Sequence, residues 1–198
     1  MISRFIKPKL NRGFTLVETL VAVLLLIVAL AGPLTIASRG ATAARVAKDQ
    51  IIAYYLAQDA IEYVRFKRDS ACLTAPTDQP CPNATWLSGG SSPTLSACTS
   101  GTCTIETAGT PAVQSCTPSA TSPSCDELYI NTTSKFYTHV SSGNTKTIYK
   151  RRVTITSPVI SGGRPDEAVV TVTVLWKNVN NPTVERSIVL TENIFNWQ

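Results

Sequence analysis

The chain has 198 residues, with 18 Lys and Arg against 13 Asp and Glu, one histidine and six cysteines. That length allows one domain with its own core plus an appendage, and a lone histidine leaves no evident catalytic constellation of the Ser-His-Asp or Cys-His kind. Arg4, Lys7, Lys9 and Arg12 carry four positives with no acid among them, and from Phe14 onward 14 bases face 13 acids, a net of +1, which excludes a broadly basic nucleic-acid surface.

Residues 1–13 therefore read as a short basic leader that targets or orients the chain. Residues 14–38 are apolar, and Glu18 is the one charged residue between Phe14 and Ser38. The 20 uncharged residues Thr19–Ser38 span about 30 Å as a helix, enough to cross a bilayer's hydrocarbon core. Gly32-Pro33 falls inside this run and predicts a kink or local melting, because proline removes a donor and crowds the preceding turn.

Residues 39–71 predict a second, amphipathic stretch of helix without proline and with a single glycine, Gly40, at its start. Ile52, Leu56, Ala60 and Tyr63 form one stripe, with Ala53, Ala57 and Val64 beside it and Asp49, Asp59, Glu62, Arg65 and Lys67 toward water. The helix is expected to end near Asp69–Cys72, ahead of Pro76.

Residues 72–135 are rich in Thr, Ser, Pro and Gly and read as a long cysteine-rich loop region. Cys72, Cys81, Cys98, Cys103, Cys116 and Cys125 are its natural staples, since a loop this long in a compact domain needs some. Six cysteines allow fifteen pairings. Short loop closure favours Cys72–Cys81, Cys98–Cys103 and Cys116–Cys125. Irregular spacing and the absence of a C-x-x-C disfavour a zinc site, and no cofactor motif is found.

Residues 136–198 predict an antiparallel sheet. The strands are 147–156, with Tyr149, Val153 and Ile155 on one face interrupted by Arg151; 168–176, with Val170, Val172, Val174 and Trp176 opposite Thr171 and Thr173; and 184–195. Residues 135–140 are a candidate fourth strand. One sheet face is expected to pack on the helix after Arg39, giving an α+β fold: a long N-terminal helix, transmembrane then amphipathic, on a C-terminal antiparallel sheet with a disulfide-rich loop region between.

Glu18 needs a reason, because a carboxylate at mid-bilayer costs on the order of 3 kcal/mol. A cleavable secretory signal, ending at the A-x-A of Ala41-Thr42-Ala43, carries an apolar region of only about 7–15 residues. A plain signal anchor for an extracytoplasmic binding domain is the stronger alternative, but it leaves Glu18 as an accident. Gly13-Phe14-Thr15-Leu16-Val17-Glu18, after a basic leader and before an uninterrupted apolar run, resembles the class III signal of type IV prepilins and pseudopilins. The resemblance implies cleavage after Gly13 by a prepilin peptidase at the inner membrane, N-methylation of Phe14, and Glu18 as the fifth mature residue. In a filament of such subunits Glu18 would meet the α-amino group of Phe14 on a neighbour, a buried pair that sets register. Pro33 fits the family's tendency to melt its filament helix near a proline.

The family's major subunits often bracket a C-terminal loop with a disulfide. Here all six cysteines precede the strong strands, and the resemblance, with "YYLAQDAIEYVR" added, is to minor pilins and secretion pseudopilins. It implies a structural subunit, not an enzyme, of a pilus or pseudopilus. Such a subunit is a single-pass inner-membrane protein with its C-terminal domain extracytoplasmic before assembly, and its partners are other such subunits. Elsewhere the bland readings are favoured. His139 reads as a solvated strand residue, and Asp126-Glu127 and Asp166-Glu167 as solvated turns. Lys150-Arg151-Arg152 reads as a solvated face and not as one nucleic-acid patch, because strand residues alternate faces. Gly89-Gly90 and Gly162-Gly163 lack a phosphate-loop context, and the Asn83 and Asn131 glycosylation patterns read as chance.

Overall fold

A computed structural model describes residues 13–73, 86–87, 94–119, 124–161, 164–178 and 181–195. The leader charges, Cys81, Asn83, Gly89-Gly90, Gly162-Gly163 and the side chains of Cys72 and Asp166 lie outside them. Helix α1 runs from Leu16 to Leu73 without a break. The chain divides into two compact units, Met1–Val46 and Ala47–Gln198, and α1 contributes to both.

In the first unit, described from residue 13, every residue through Arg45 is exposed. The helix continues through Gly32-Pro33, so of the expected kink or local melting the second is not seen here. Proline there deprives only the Ala29 carbonyl of its usual N–H donor, and one missing bond does not end a run of strong helix formers. Helical hydroxyls turn inward along the same stretch. Thr19 donates to the Leu16 carbonyl at 2.9 Å, Thr35 to Ala31 at 2.8 Å, Ser38 to Thr35 at 2.9 Å and Thr42 to Ser38 at 3.1 Å. The polar side chains are thus satisfied within the helix and leave an apolar outer surface.

The second unit is the helix from Ala47 packed on an antiparallel sheet. After a short helix α2 (Ser96–Thr99), the strands are β1 (Cys103–Glu106), β2 (Ala112–Ser115), β3 (Glu127–Asn131), β4 (Tyr137–Thr138), β5 (Asn144–Ser161), β6 (Arg164–Asn178) and β7 (Asn181–Phe195). The long strand β5 pairs with β6 along one edge and with β3 and β1 along the other. Beyond them, β7 closes one side, with β2 and β4 on the other. Strands β5 to β7 are the meander that alternation predicts. Strands β1, β2 and β3 draw the cysteine-rich region into the same sheet, which its composition hides: each is only four or five residues long, too short for a readable period.

Register places the apolar residues in rows. Val153 faces Val172 and then Leu190; Ile155 faces Val170; Tyr149 faces Trp176. Against these rows lie Ala53, Leu56, Ala57, Ala60, Ile61, Tyr63 and Val64 of α1, all buried. The three alanines have no exposed surface, so the helix backbone approaches the sheet closely. Full burial of each valine in these rows contributes roughly 1.5–3 kcal/mol. Trp86 and Leu87, from the segment after α1, are buried in the same core.

Two disulfides pin the segment between helix and meander, Cys98–Cys103 and Cys116–Cys125. Both close short loops. The third expected pair, Cys72–Cys81, falls outside the described residues.

Candidate functional site

The segment that needs explaining is the start of α1. Gly13, Phe14 and Thr15 are exposed and non-helical, and the helix begins at Leu16. Thr15 ends it on that side. Its Oγ1 accepts the Glu18 N–H at 3.2 Å, and its carbonyl accepts the Thr19 N–H at 3.2 Å, which makes Thr15 the N-cap. The sequence reading passed over Thr15. The available signal was Thr-x-x-Glu ahead of an apolar run, the pattern of a capping box.

Glu18 sits in the first helical turn, where the exposed N–H groups favour a negative charge. It is exposed and makes no ion pair among the described residues. After it come Leu20, Val21, Val23, Leu24, Leu25 and Leu26, each at least half exposed. The helix is long and apolar enough to cross a membrane. Such a surface is stable only against lipid or other apolar helices.

A family profile described as the prokaryotic N-terminal methylation motif matches residues 8–32. The chain carries a class III signal peptide of the type IV pilin kind. This is the mark of a pilin-like precursor that a prepilin peptidase processes, and it points to a structural subunit rather than an enzyme. The match spans the end of the leader from residue 8, the Gly13-Phe14 junction, Glu18 and the first part of the apolar helix, and stops one residue before Pro33. No curated protein and no solved structure matches the chain.

Of the polar residues of the second unit expected in solvent, Asp126, Glu127 and Arg151 are buried. Asp126 is fully buried and Glu127 nearly so, which corrects their reading as turn residues. Asp126 Oδ2 accepts from Arg152 Nε at 2.7 Å, and Lys150 Nζ lies 3.8 Å from Oδ1. Burial pushes the Asp126 carboxyl up, but the Ser124 hydrogen bond and the Arg152 and Lys150 charges outweigh it and hold it below the usual range. Glu127 is likewise pushed up by burial and pulled lower overall, by Lys146 at 2.8 Å and the Tyr129 hydroxyl at 3.0 Å.

Lys150 and Arg152 therefore neutralise a buried acid instead of facing solvent as a basic run. Arg151, on the opposite strand face, is 1 % exposed and points into the core toward α1. His139 is a further correction, being mostly buried. Its Nδ1–H donates to the Glu127 carbonyl at 3.1 Å, while burial, followed by the Arg151 charge, lowers its pKa to about 3. It is a neutral structural imidazole at physiological pH.

Glu106 completes this network. Its Oε2 accepts from the Thr138 hydroxyl and the His139 N–H, both at 2.7 Å, and its Oε1 accepts from the Ala108 N–H at 3.1 Å. Asn131, in one of the glycosylation patterns, has its side chain engaged: Oδ1 accepts from the Thr133 and Ser134 N–H groups, both at 2.9 Å, and Nδ2 donates to Asn144 Oδ1 at 3.0 Å. A cavity of about 490 Å³ lies between Tyr55 of α1, Gly109 and Phe136, with Asp59 and Lys135 also lining it. Asp59 Oδ2 is already engaged by Arg151 and Thr107. Among the described residues no group of His, Cys, Asp and Glu could hold a metal ion.

Proposed function

We propose that the chain is a structural subunit, and a minor one, of a type IV pilus or a secretion-like pseudopilus. It is inserted once in the inner membrane with residues from Arg39 onward outside the cytoplasm. It is then cleaved after Gly13, N-methylated at Phe14 and polymerised through its N-terminal helix. The observation that carries the reading is a methylation motif whose Glu18 has no ion-pair partner among the described residues and lies on the otherwise apolar, uncovered first part of α1. A neighbouring subunit can supply both things that the helix lacks: apolar cover, and an α-amino group for the carboxylate.

The orientation follows from the leader. Four bases before the span favour the cytoplasmic side for residues 1–13. The disulfides then lie in an oxidising compartment, where they persist. A minor role is supported by the position of both described disulfides ahead of β3, with β6 and β7 free of cysteine.

The test is intact mass and N-terminal peptide mapping of the protein from its native host, with Gly13→Ala as control. A Cβ at Gly13 would meet nothing within 4 Å, so the control leaves the fold alone. A wild-type chain beginning at N-methyl-Phe14, with the control uncut, supports the reading. A chain beginning at Met1 or after Ala43 overturns it in favour of an anchored binding domain or a secreted one.

A further inference from the structure

We propose that Thr15 is a positioning residue for processing: by capping α1 at its own position it keeps the Gly13–Phe14 peptide out of the helix and open to a peptidase. The inference rests on the cleavage proposed above. In that reaction water adds its oxygen to the Gly13 carbonyl carbon, the bond to the Phe14 nitrogen breaks, and that nitrogen takes the proton and leaves as the new α-amino group. The attacked carbonyl must therefore be accessible, and the backbone around it must fit an extended binding cleft.

A strongly helical apolar run works against both needs. In low dielectric each unpaired N–H is costly, so a helix entering the bilayer gains by extending toward its N-terminus. Extension by a turn would send the Glu18 N–H to the Phe14 carbonyl and the Val17 N–H to the Gly13 carbonyl, the atom to be attacked. The structure shows the competing bond. The Thr15 hydroxyl takes the Glu18 N–H at 3.2 Å, and the first backbone bond of the helix is Thr19 N–H to the Thr15 carbonyl. Gly13 and Phe14 are left exposed and non-helical, two residues ahead of the first helical turn. Glu18 supports the same boundary as an acid in that turn.

The capping role predicts which side chains serve at residue 15. Serine and asparagine cap; valine, of threonine's shape, does not. The full-length chain in detergent micelles is incubated with purified prepilin peptidase, and cleavage is timed by mass spectrometry for wild type, Thr15→Val, Thr15→Ser and Thr15→Asn. Hydrogen exchange at the Glu18 amide is followed on the same samples. The expected result is a loss in rate on the order of fivefold for the valine variant, matching the loss of one cap, with faster exchange at Glu18. The serine and asparagine variants should stay near wild type in both. A valine variant cut at the wild-type rate overturns the proposal. So does an asparagine variant that protects Glu18 yet is cut as slowly as valine, since the peptidase would then be reading the hydroxyl itself. A wild-type chain left uncut removes the cleavage reading and this inference together, whereas a cut wild type with an equally fast valine variant removes this inference alone.

Discussion

Arg151 of β5 hydrogen-bonds α1 at two places, donating from Nη1 to the Leu56 carbonyl and to Asp59 Oδ2, both at 2.9 Å. Its Nη2 donates to the Ile105 carbonyl of β1 at 2.6 Å, so one guanidinium ties the helix to two strands. Arginine suits this place because its planar fork serves several acceptors at once. Arg151→Ala removes the packed side chain and strips donors from buried carbonyls, and should cost about 3 kcal/mol or more of unfolding free energy. Asp59→Ala leaves both carbonyl bonds in place, and Asp59 is half exposed. It should cost about 1 kcal/mol. Denaturant unfolding followed by fluorescence of buried Trp86 and Trp176 separates the two. Equal losses would sink the view that the carbonyls, not the ion pair, dominate.

Acid should loosen this domain in two stages. His139 has a folded pKa of about 3 against about 6.5 unfolded, so between those values the unfolded chain takes up a proton that the folded one refuses. The stability it contributes is complete above pH 6.5 and is lost as pH falls toward 3, on the order of 2 kcal/mol between pH 6.5 and 4.5. Asp126 and Glu127, both held low, lose their contribution further down, below the ordinary carboxylate range. His139→Gln should flatten unfolding free energy between pH 6.5 and 4.5 and keep the lower transition. If its slope there matches wild type, another group titrates.

What the residues could and could not announce follows from the range of the interactions. The meander was legible because Val170, Val172, Val174 and Trp176 alternate over a full strand, and the helix face because Leu56, Ala60 and Tyr63 repeat every three or four residues. Glu18 was legible as an anomaly, because one charge in an apolar run has no local excuse. Arg151, Asp126 and His139 were misread because their partners are distant in the chain. Asp126 meets Arg152 across 26 positions, and Arg151 meets Asp59 across 92. No local pattern carries such pairs, so a charged residue reads as solvated until the fold supplies its counter-ion. Thr15 was missed for another reason: its partner is three residues away, but the capping pattern was overlooked beside the more conspicuous glutamate.

Cys116–Cys125 ends one residue before Asp126, at the acid that receives Arg152 and Lys150. Replacing both cysteines with serine should release the segment that places this acid. The loss of loop constraint alone amounts to about 2–3 kcal/mol for a closure of this length. Replacing Cys98 and Cys103 should cost a similar amount or more, because both are buried in the core and serine hydroxyls there would be poorly satisfied. Differential scanning calorimetry of each double variant measures this. A Cys116–Cys125 variant with an unchanged melting temperature would mean that the strand pairing of β3 alone holds Asp126 in place.

Glu18→Leu separates anchoring from assembly. Leucine removes the desolvation cost of the carboxylate and leaves the Gly13–Phe14 junction, the Thr15 hydroxyl and the apolar surface unchanged. Membrane insertion should therefore be retained or strengthened, and cleavage after Gly13 should proceed. Entry into filaments should fall by an order of magnitude or more, because the helix loses the one group that would recognise a neighbour's α-amino terminus and fix its axial register. Fractionating native-host cells into membrane and sheared-filament pools, with immunoblotting of each, reads both quantities at once. Full recovery of the leucine variant in the filament pool would show that apolar packing alone sets the register, and Glu18 would then need a role inside its own chain, at the capped first turn of α1.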